Sequence, residues 1–226
     1  MKQIKKIEIK KSIFLFMLCC INGIIIAQIP QQNKVLLKDW KRINLENLGN
    51  IDLPPNMEIQ GGNYKKMMEK GKAEYGISAS KVIFQQKELN KLNKNSLNTC
   101  ARVFIRTEQG SVGDYEKLKT GKITVSDLES LNSSYKNEIQ QSAINANTEI
   151  LEWYTAKKTI INGMNCMTLG YKRRLGQNKP VKGTMYLFQN NDRMHILTFE
   201  HRISDSEEWE PTFANILKSY RITNIK

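Results

Sequence analysis

The feature that most restricts this chain is a run of four β-prone segments in its C-terminal half, joined by turns too short for anything but antiparallel pairing. Glu149 to Ile161 ends at Asn162-Gly163, a dipeptide that tolerates positive φ at both centres of a two-residue hairpin turn. Cys166 to Arg173 reads as the return strand, Gly176 to Pro180 as the next turn and Val181 to Gln189 as the third strand. Asn190-Asn191-Asp192 then turns into Arg193 to Ile203, where His195, Leu197, Phe199, His201 and Ile203 fall on one face.

The flanking segments complete the class. Ala101 to Thr107 alternates, with Val103 and Ile105 on one face and Arg102 and Arg106 on the other. Val82-Ile83-Phe84, Trp40 to Leu45 and Ile51 to Leu53 are shorter extended candidates, the last stopped by Pro54-Pro55. Residues 65–72 fit no element, and residues 108–125 read as a long glycine-bearing loop. Ser126 and Glu129 have capping-box spacing, and Leu128, Leu131, Tyr135 and Ile139 continue as a helical stripe to about Ile144. Ser204 and Glu207 repeat the spacing ahead of Trp209, Phe213, Ile216, Leu217 and Tyr220, where Pro211 fits only in a first turn. Strands, a helix, four strands and a helix predict an α+β domain: a single antiparallel β-sheet with packed helices.

The N-terminus carries an export signal. Five lysines and Glu8 precede an uncharged, apolar stretch from Ser12 to Ala27, and Ile25 and Ala27 supply a cleavage site ahead of Gln28. That stretch is short for a membrane span and is interrupted by Asn22-Gly23. Leu18 before Cys19 does not suit lipidation of Cys19 or Cys20. The expected organisation is a signal peptide over residues 1–27, a flexible tether over 28–38 and one domain over 39–226. The protein is therefore expected in the periplasm or outside the cell, with no membrane span after cleavage. The leader holds +4 of the net +13, leaving +9 (13 − 4) on the mature chain, with acids interleaved. Such a balance favours anionic partners, and export argues against nucleic acid.

Catalytic signatures are missing. His195 and His201 are the only histidines; six residues apart on one strand, they stand about 20 Å from each other, too far to share a metal. No Gly-x-Ser-x-Gly elbow and no phosphate-cradling Gly-x-x-x-x-Gly-Lys loop is present. Glu149, Glu152 and Glu200 on strands could pair as catalytic carboxylates, but acids on the wet face of a sheet are commoner. Trp153, Tyr154, Tyr171, Tyr186 and Phe188 read as strand packing. No enzyme activity, cofactor or metal is expected. Cys100 and Cys166, the two cysteines of the mature chain, each begin a strand and are a candidate disulfide in an oxidising compartment, provided their Cα atoms lie within about 7 Å.

A wider resemblance runs through the chain in order: Ile51-Asp52-Leu53-Pro54-Pro55-Asn56-Met57-Glu58, Val82-Ile83-Phe84-Gln85-Gln86-Lys87, Ala101-Arg102-Val103 and Gly113-Asp114-Tyr115. Leu151-Glu152-Trp153, Ile161-Asn162-Gly163, Tyr186 to Asp192 and Ser219-Tyr220-Arg221 continue it. Together these segments resemble the Mog/PsbP-like group, and more narrowly uncharacterised exported proteins of Bacteroidetes-type bacteria. The resemblance implies an α/β/α sandwich. The group includes carrier, assembly and docking proteins, and it offers no shared catalytic residue to carry onto this chain.

The expected role is an exported, non-catalytic binding or accessory protein, with an envelope hydrolase or a carrier of a small apolar ligand as alternatives. Lys172, Arg173, Arg174, Lys179 and Lys182 surround the turn at Gly176 to Pro180 with no acid among them. They are a candidate site for an anionic envelope component or another protein; the plainer reading is a solvated turn that protects a sheet edge. Intact-mass measurement of the exported protein should find a chain starting at Gln28. A retained Met1, or lipid on Cys19 or Cys20, would overturn the leader.

Overall fold

A computed structural model describes residues 37–45, 48–60, 81–89, 99–115 and 123–223. They belong to the second of two units into which the chain divides, Leu36–Lys226. The leader, the cleavage site at Ala27 and Gln28, most of the tether and the stretch 65–72 lie outside the described residues.

The elements run β1 (Lys41–Leu45), β2 (Gly49–Leu53), β3 (Met57–Ile59), β4 (Lys81–Gln86) and β5 (Ala101–Gln109). Then come helix α1 (Val125–Asn145), β6 (Thr148–Ile161), β7 (Met164–Leu175), β8 (Val181–Asn190), β9 (Arg193–Arg202), a 3₁₀ turn (Ile203–Asp205) and helix α2 (Ser206–Ser219). The fold is α+β and antiparallel throughout. The strands form two sheets rather than the single one expected: β1 and β2 make a separate hairpin, and seven strands follow the order β3-β4-β5-β9-β8-β7-β6. The hairpin stays apart because its neighbour is the C-terminal tail. Asn50 and Arg221 exchange two backbone hydrogen bonds, each 2.9 Å. Gly49, at φ +131°, fits there because a Cβ would overlap the Arg221 carbonyl.

The predicted meander is present, and its first turn has the expected chemistry, with Asn162 at φ 54° and Gly163 at φ 75°. The helix starts differ. Thr124, not Ser126, caps α1: its hydroxyl accepts from the Asp127 amide at 3.1 Å, and the Asp127 carboxylate accepts from the Thr124 amide at 2.8 Å. Thr124 and Asp127 satisfy the capping-box spacing as well as Ser126 and Glu129 do, so spacing alone left two registers open. Ser204 does not cap α2, because the chain first makes the 3₁₀ turn, and Asp205 precedes the helix without a side-chain cap bond. Pro211 sits inside α2, beyond its first turn.

Alternation along the central strand β9 divides the molecule into two cores. Leu197 and Phe199 point to one side, with Phe84, Val103, Ile105 and Phe188, against Trp209, Phe213 and Ile216 of α2 and Ile51 and Leu53 of the hairpin. Met194 and Ile196 point to the other, with Met167, Leu169, Met185 and Leu187, against Tyr135 of α1. No helix among the described residues is long and apolar enough to cross a membrane. β6 forms one sheet edge and is irregular between Ile150 and Glu152 and between Tyr154 and Lys157, which blunts it as a template for pairing.

Gly183 allows close packing on the α1 side, because a Cβ there would overlap the Tyr171 ring. Gly183→Ala should lower stability by about 1–3 kcal/mol, the usual cost of overpacking, as read by urea unfolding. An equally stable variant would show that the ring does not depend on that space.

Candidate functional site

On the α1 side a row of directly opposed residues crosses the sheet: Gln85, Arg102, Glu200, Gly183, Tyr171 and Trp153. Glu200 is its centre. Arg173 holds the carboxylate through two bonds, Nε to Oε1 at 3.0 Å and Nη2 to Oε2 at 2.8 Å, and the Tyr171 hydroxyl donates to Oε1 at 2.6 Å. The Glu200 side chain is 4% exposed. Burial pushes its pKa up, but the charge and hydrogen bonds of Arg173, the Tyr171 hydroxyl and the charge of Arg102 together bring it below the ordinary value. A cleft of about 290 Å³ lies between this group and α1, with Arg106, Glu138, Thr148 and Met185 on its walls. The carboxylate in its floor is ionised and already bonded at both oxygens. It is neither a proton donor nor a free base, so it does not serve the hydrolase alternative.

The basic cluster around Gly176 to Pro180 is not one patch. Strand alternation sends Arg173 into the α1 side, to Glu200, and its neighbours to the opposite side. Arg174 pairs with Glu149 at 2.8 Å and Lys182 with Glu210 at 2.7 Å. Lys172 stands opposite Lys182 on one flank and Glu152 on the other. The Lys179 carbonyl accepts a hydrogen bond from Arg202. Three of the five cations thus have acidic partners distant in the sequence.

The candidate disulfide is corrected: Cys100 and Cys166 are free thiols. Register puts Cys100 just before Ala101, opposite His201, whereas Cys166 precedes Met167, in the row of Leu187, Ile196 and Arg106. The two are three strands and most of a strand length apart, beyond the reach of a bond. Burial pushes the Cys166 thiol up to about 12 and raises Cys100 as well, so both are protonated and unreactive.

The histidines also point away from nucleophilic chemistry. His201 Nε2 lies 3.1 Å from Ser206 Oγ, which donates to the Ile203 carbonyl at 2.9 Å. The imidazole is therefore the donor. Glu210 approaches that same nitrogen at 3.7 Å, whereas a catalytic triad needs the acid on the other one. His195 is fully buried and its Nδ1 lies 3.3 Å from Tyr220 Oη, which donates to the Leu48 carbonyl at 3.1 Å. Its Nδ1 consequently carries the proton, and Nε2 is buried with no hydrogen-bond partner among the described residues. No group of three His, Cys, Asp or Glu side chains among the described residues is arranged to hold a metal ion.

A larger feature than the cleft beside Glu200 lies on the other face. α2 lies against β9 and β2, and between it and the β6 edge the sheet is uncovered. Two adjoining hollows of about 450 and 720 Å³ share Ile161, Lys182, Thr184 and Tyr186. The first runs between Phe213, Ala214 and Leu217 of α2 and Ile160 and Ile161 of β6. The second lies over β7, with Thr168 and Gly170 in its floor and Tyr154, Lys157 and Thr159 on its rim. Asn162 fixes the width of the groove: its side-chain amide donates to the carbonyls of Leu217 at 3.0 Å and Tyr220 at 2.9 Å, tying the β6–β7 turn to the end of α2. In the sequence alone Tyr154 and Tyr186 look like strand packing, and the groove is not evident. Its one signal was the run of groove-facing Thr168 and Gly170 on β7 and Thr184 and Tyr186 on β8, where a covered sheet would carry aliphatic residues.

No protein-family model matches the chain, and no curated protein sequence matches it. The solution structure of cyanobacterial PsbP (CyanoP) from Synechocystis sp. PCC 6803 matches it with a TM-score of 0.51 at 12% identity, over 84% of this chain and 96% of that one. The fold is PsbP-like. At that identity the likeness is one of fold alone. A Pseudomonas aeruginosa protein of unknown function, PA94, reaches 0.38 at 11% identity, over 80% of this chain and 96% of its own. A crystal structure from Bacteroides thetaiotaomicron VPI-5482 reaches 0.36 at 7%, over 82% and 49%. Neither of these two scores bears on the fold.

The PsbP-like core makes a pH prediction. Burial, with the nearby Arg193, lowers the His195 pKa from 6.5 to about 4. Between these values the unfolded chain binds a proton that the folded chain refuses, so stability is greatest above about pH 6.5 and declines as pH falls towards 4. The decline from this group is at most about 3 kcal/mol. Glu200 and His201, both shifted down, act in the same direction. Urea midpoints from pH 7 to 4.5 should fall for the natural chain and flatten for His195→Gln. An equally steep fall in that variant would exclude His195 as a cause.

Proposed function

We propose that this chain is an exported, non-catalytic binding or accessory protein with the PsbP-like fold, of the kind found in Bacteroidetes-type bacteria. It acts in the periplasm or just outside the cell and binds its partner in the groove between α2 and the β6 edge. The observation that carries this reading is the contrast between the two faces. On the α1 side Glu200 is closed off by Arg173 and Tyr171, and Arg106 is paired with Glu108 and Glu138. In the groove, Thr159, Thr168 and Thr184 make no side-chain hydrogen bond among the described residues, and the half-buried Thr159 and Thr184 offer their hydroxyls to a ligand. The two volumes lie in the range of ordinary ligand sites. The lysines beside the groove favour an anionic envelope component or a protein partner over nucleic acid, which export separates from the chain.

The test uses Ala214, exposed on α2 and lining the first hollow. Natural chain and Ala214→Trp are exported, extracted from the envelope and compared by native mass spectrometry. The natural chain should retain a bound component that the variant loses at unchanged melting temperature. Equal retention would remove the groove from the proposal.

A further inference from the structure

The groove differs at its two ends, and that difference points to one kind of occupant. Beside α2 it is apolar: Phe213 and Leu217 face Ile160 and Ile161, and Ile160 is 62% exposed. Over β7 it is lined by threonines and Tyr154, and Lys157 stands on its rim. Lys218 stands at the α2 end and Lys182 at the junction. Against these three lysines stand Glu210, bonded to Lys182 at 2.7 Å, and Glu152, which lies beside the rim and accepts from the Tyr154 hydroxyl at 3.1 Å. Lys157 and Lys218 are exposed and have no ion-pair partner among the described residues.

Resting on the groove reading above, we infer that this site receives an extended acidic peptide segment of a partner protein. One apolar side chain of the segment enters the hollow beside α2, and its carboxylates lie on Lys157 and Lys218. The span of β6 along the groove, Tyr154 to Ile161, is about 20 Å, the length of six or seven extended residues. Backbone amides and carbonyls of such a segment match the threonine hydroxyls over β7. An oligosaccharide acid would suit the lysines and hydroxyls but leave the apolar hollow unfilled. A second copy of this chain would bring the same lysines and the same positive net charge onto the groove, and the two would repel. The irregular, lysine-bearing β6 edge disfavours strand addition, so the segment lies on the sheet face, where side-chain pockets rather than ladder hydrogen bonds set the preference.

The probe is a fluorescent, capped hexapeptide alternating Asp and Leu, titrated by anisotropy into the chain from Gln28 onward. Controls are the same peptide with Lys for Asp, and oligogalacturonate as competitor. Binding of the acidic peptide should weaken as salt rises. Lys157→Glu with Lys218→Glu should reduce affinity by about tenfold or more at unchanged melting temperature. Equal affinity in the double variant, equal binding of the lysine peptide, or no binding of the acidic peptide would each overturn the inference. Oligogalacturonate displacing the probe more effectively than unlabelled peptide would assign the groove to a glycan and overturn it as well. If the peptide fails while Ala214→Trp still loses the envelope component, the groove stands and only its occupant is wrong.

Discussion

The architecture depends on β9 being buried on both faces. It is the fourth of seven strands, so neighbours satisfy its backbone on either side, and its side chains supply both cores. Leu197 and Phe199 require α2 and the β1–β2 hairpin above them, and Met194 and Ile196 require α1 below. A half-buried strand can be covered from one side, whereas a strand apolar on both faces fixes a layer on each. The chain meets this by placing α1 between β5 and β6, so that leaving the sheet centre and returning at its edge carries the helix across the open face.

The same alternation places Glu200 in the interior. A carboxylate there is tolerable only when paired and hydrogen-bonded, since desolvating a lone charge costs several kcal/mol. The partners come from β7: Arg173 supplies a bidentate guanidinium, and Tyr171 reaches the carboxylate because position 183 has no side chain. Such a pair adds little net stability compared with apolar packing. It does impose register, because a one-residue slip of β7 against β8 would turn Tyr171 and Arg173 away from Glu200.

The two faces consequently serve different ends. α1 covers its side over a carboxylate closed off by Arg173 and Tyr171, while α2 leaves the β6, β7 and β8 surface open as a trough. Asn162 has a part in both fold and site: its positive φ makes the hairpin turn, and its side chain anchors that turn to α2. The groove is thus held by rigid elements, which suits binding without rearrangement.

The amino-acid sequence alone makes the meander, the α+β class, the two helical stripes and the Asn162-Gly163 turn legible. These are local: a period of two, a period of 3.6 and a dipeptide that accepts positive φ need no knowledge of the rest of the chain. Its order of segments also carried the PsbP-like resemblance. What tertiary structure decided was everything that depends on which strands become neighbours. Arg173 sits with Lys172 and Arg174 in the sequence, but pairing with β9 through β8 removes it from them and gives it to Glu200. Cys100 and Cys166 both lie close to strand starts, yet strand order sets them apart. Thr184 and Tyr186 break the aliphatic pattern of a covered sheet, but only the placement of α2 turns that into a groove. Contacts between residues far apart in sequence are fixed by sheet order and layer placement, and neither leaves a periodic mark in a single chain.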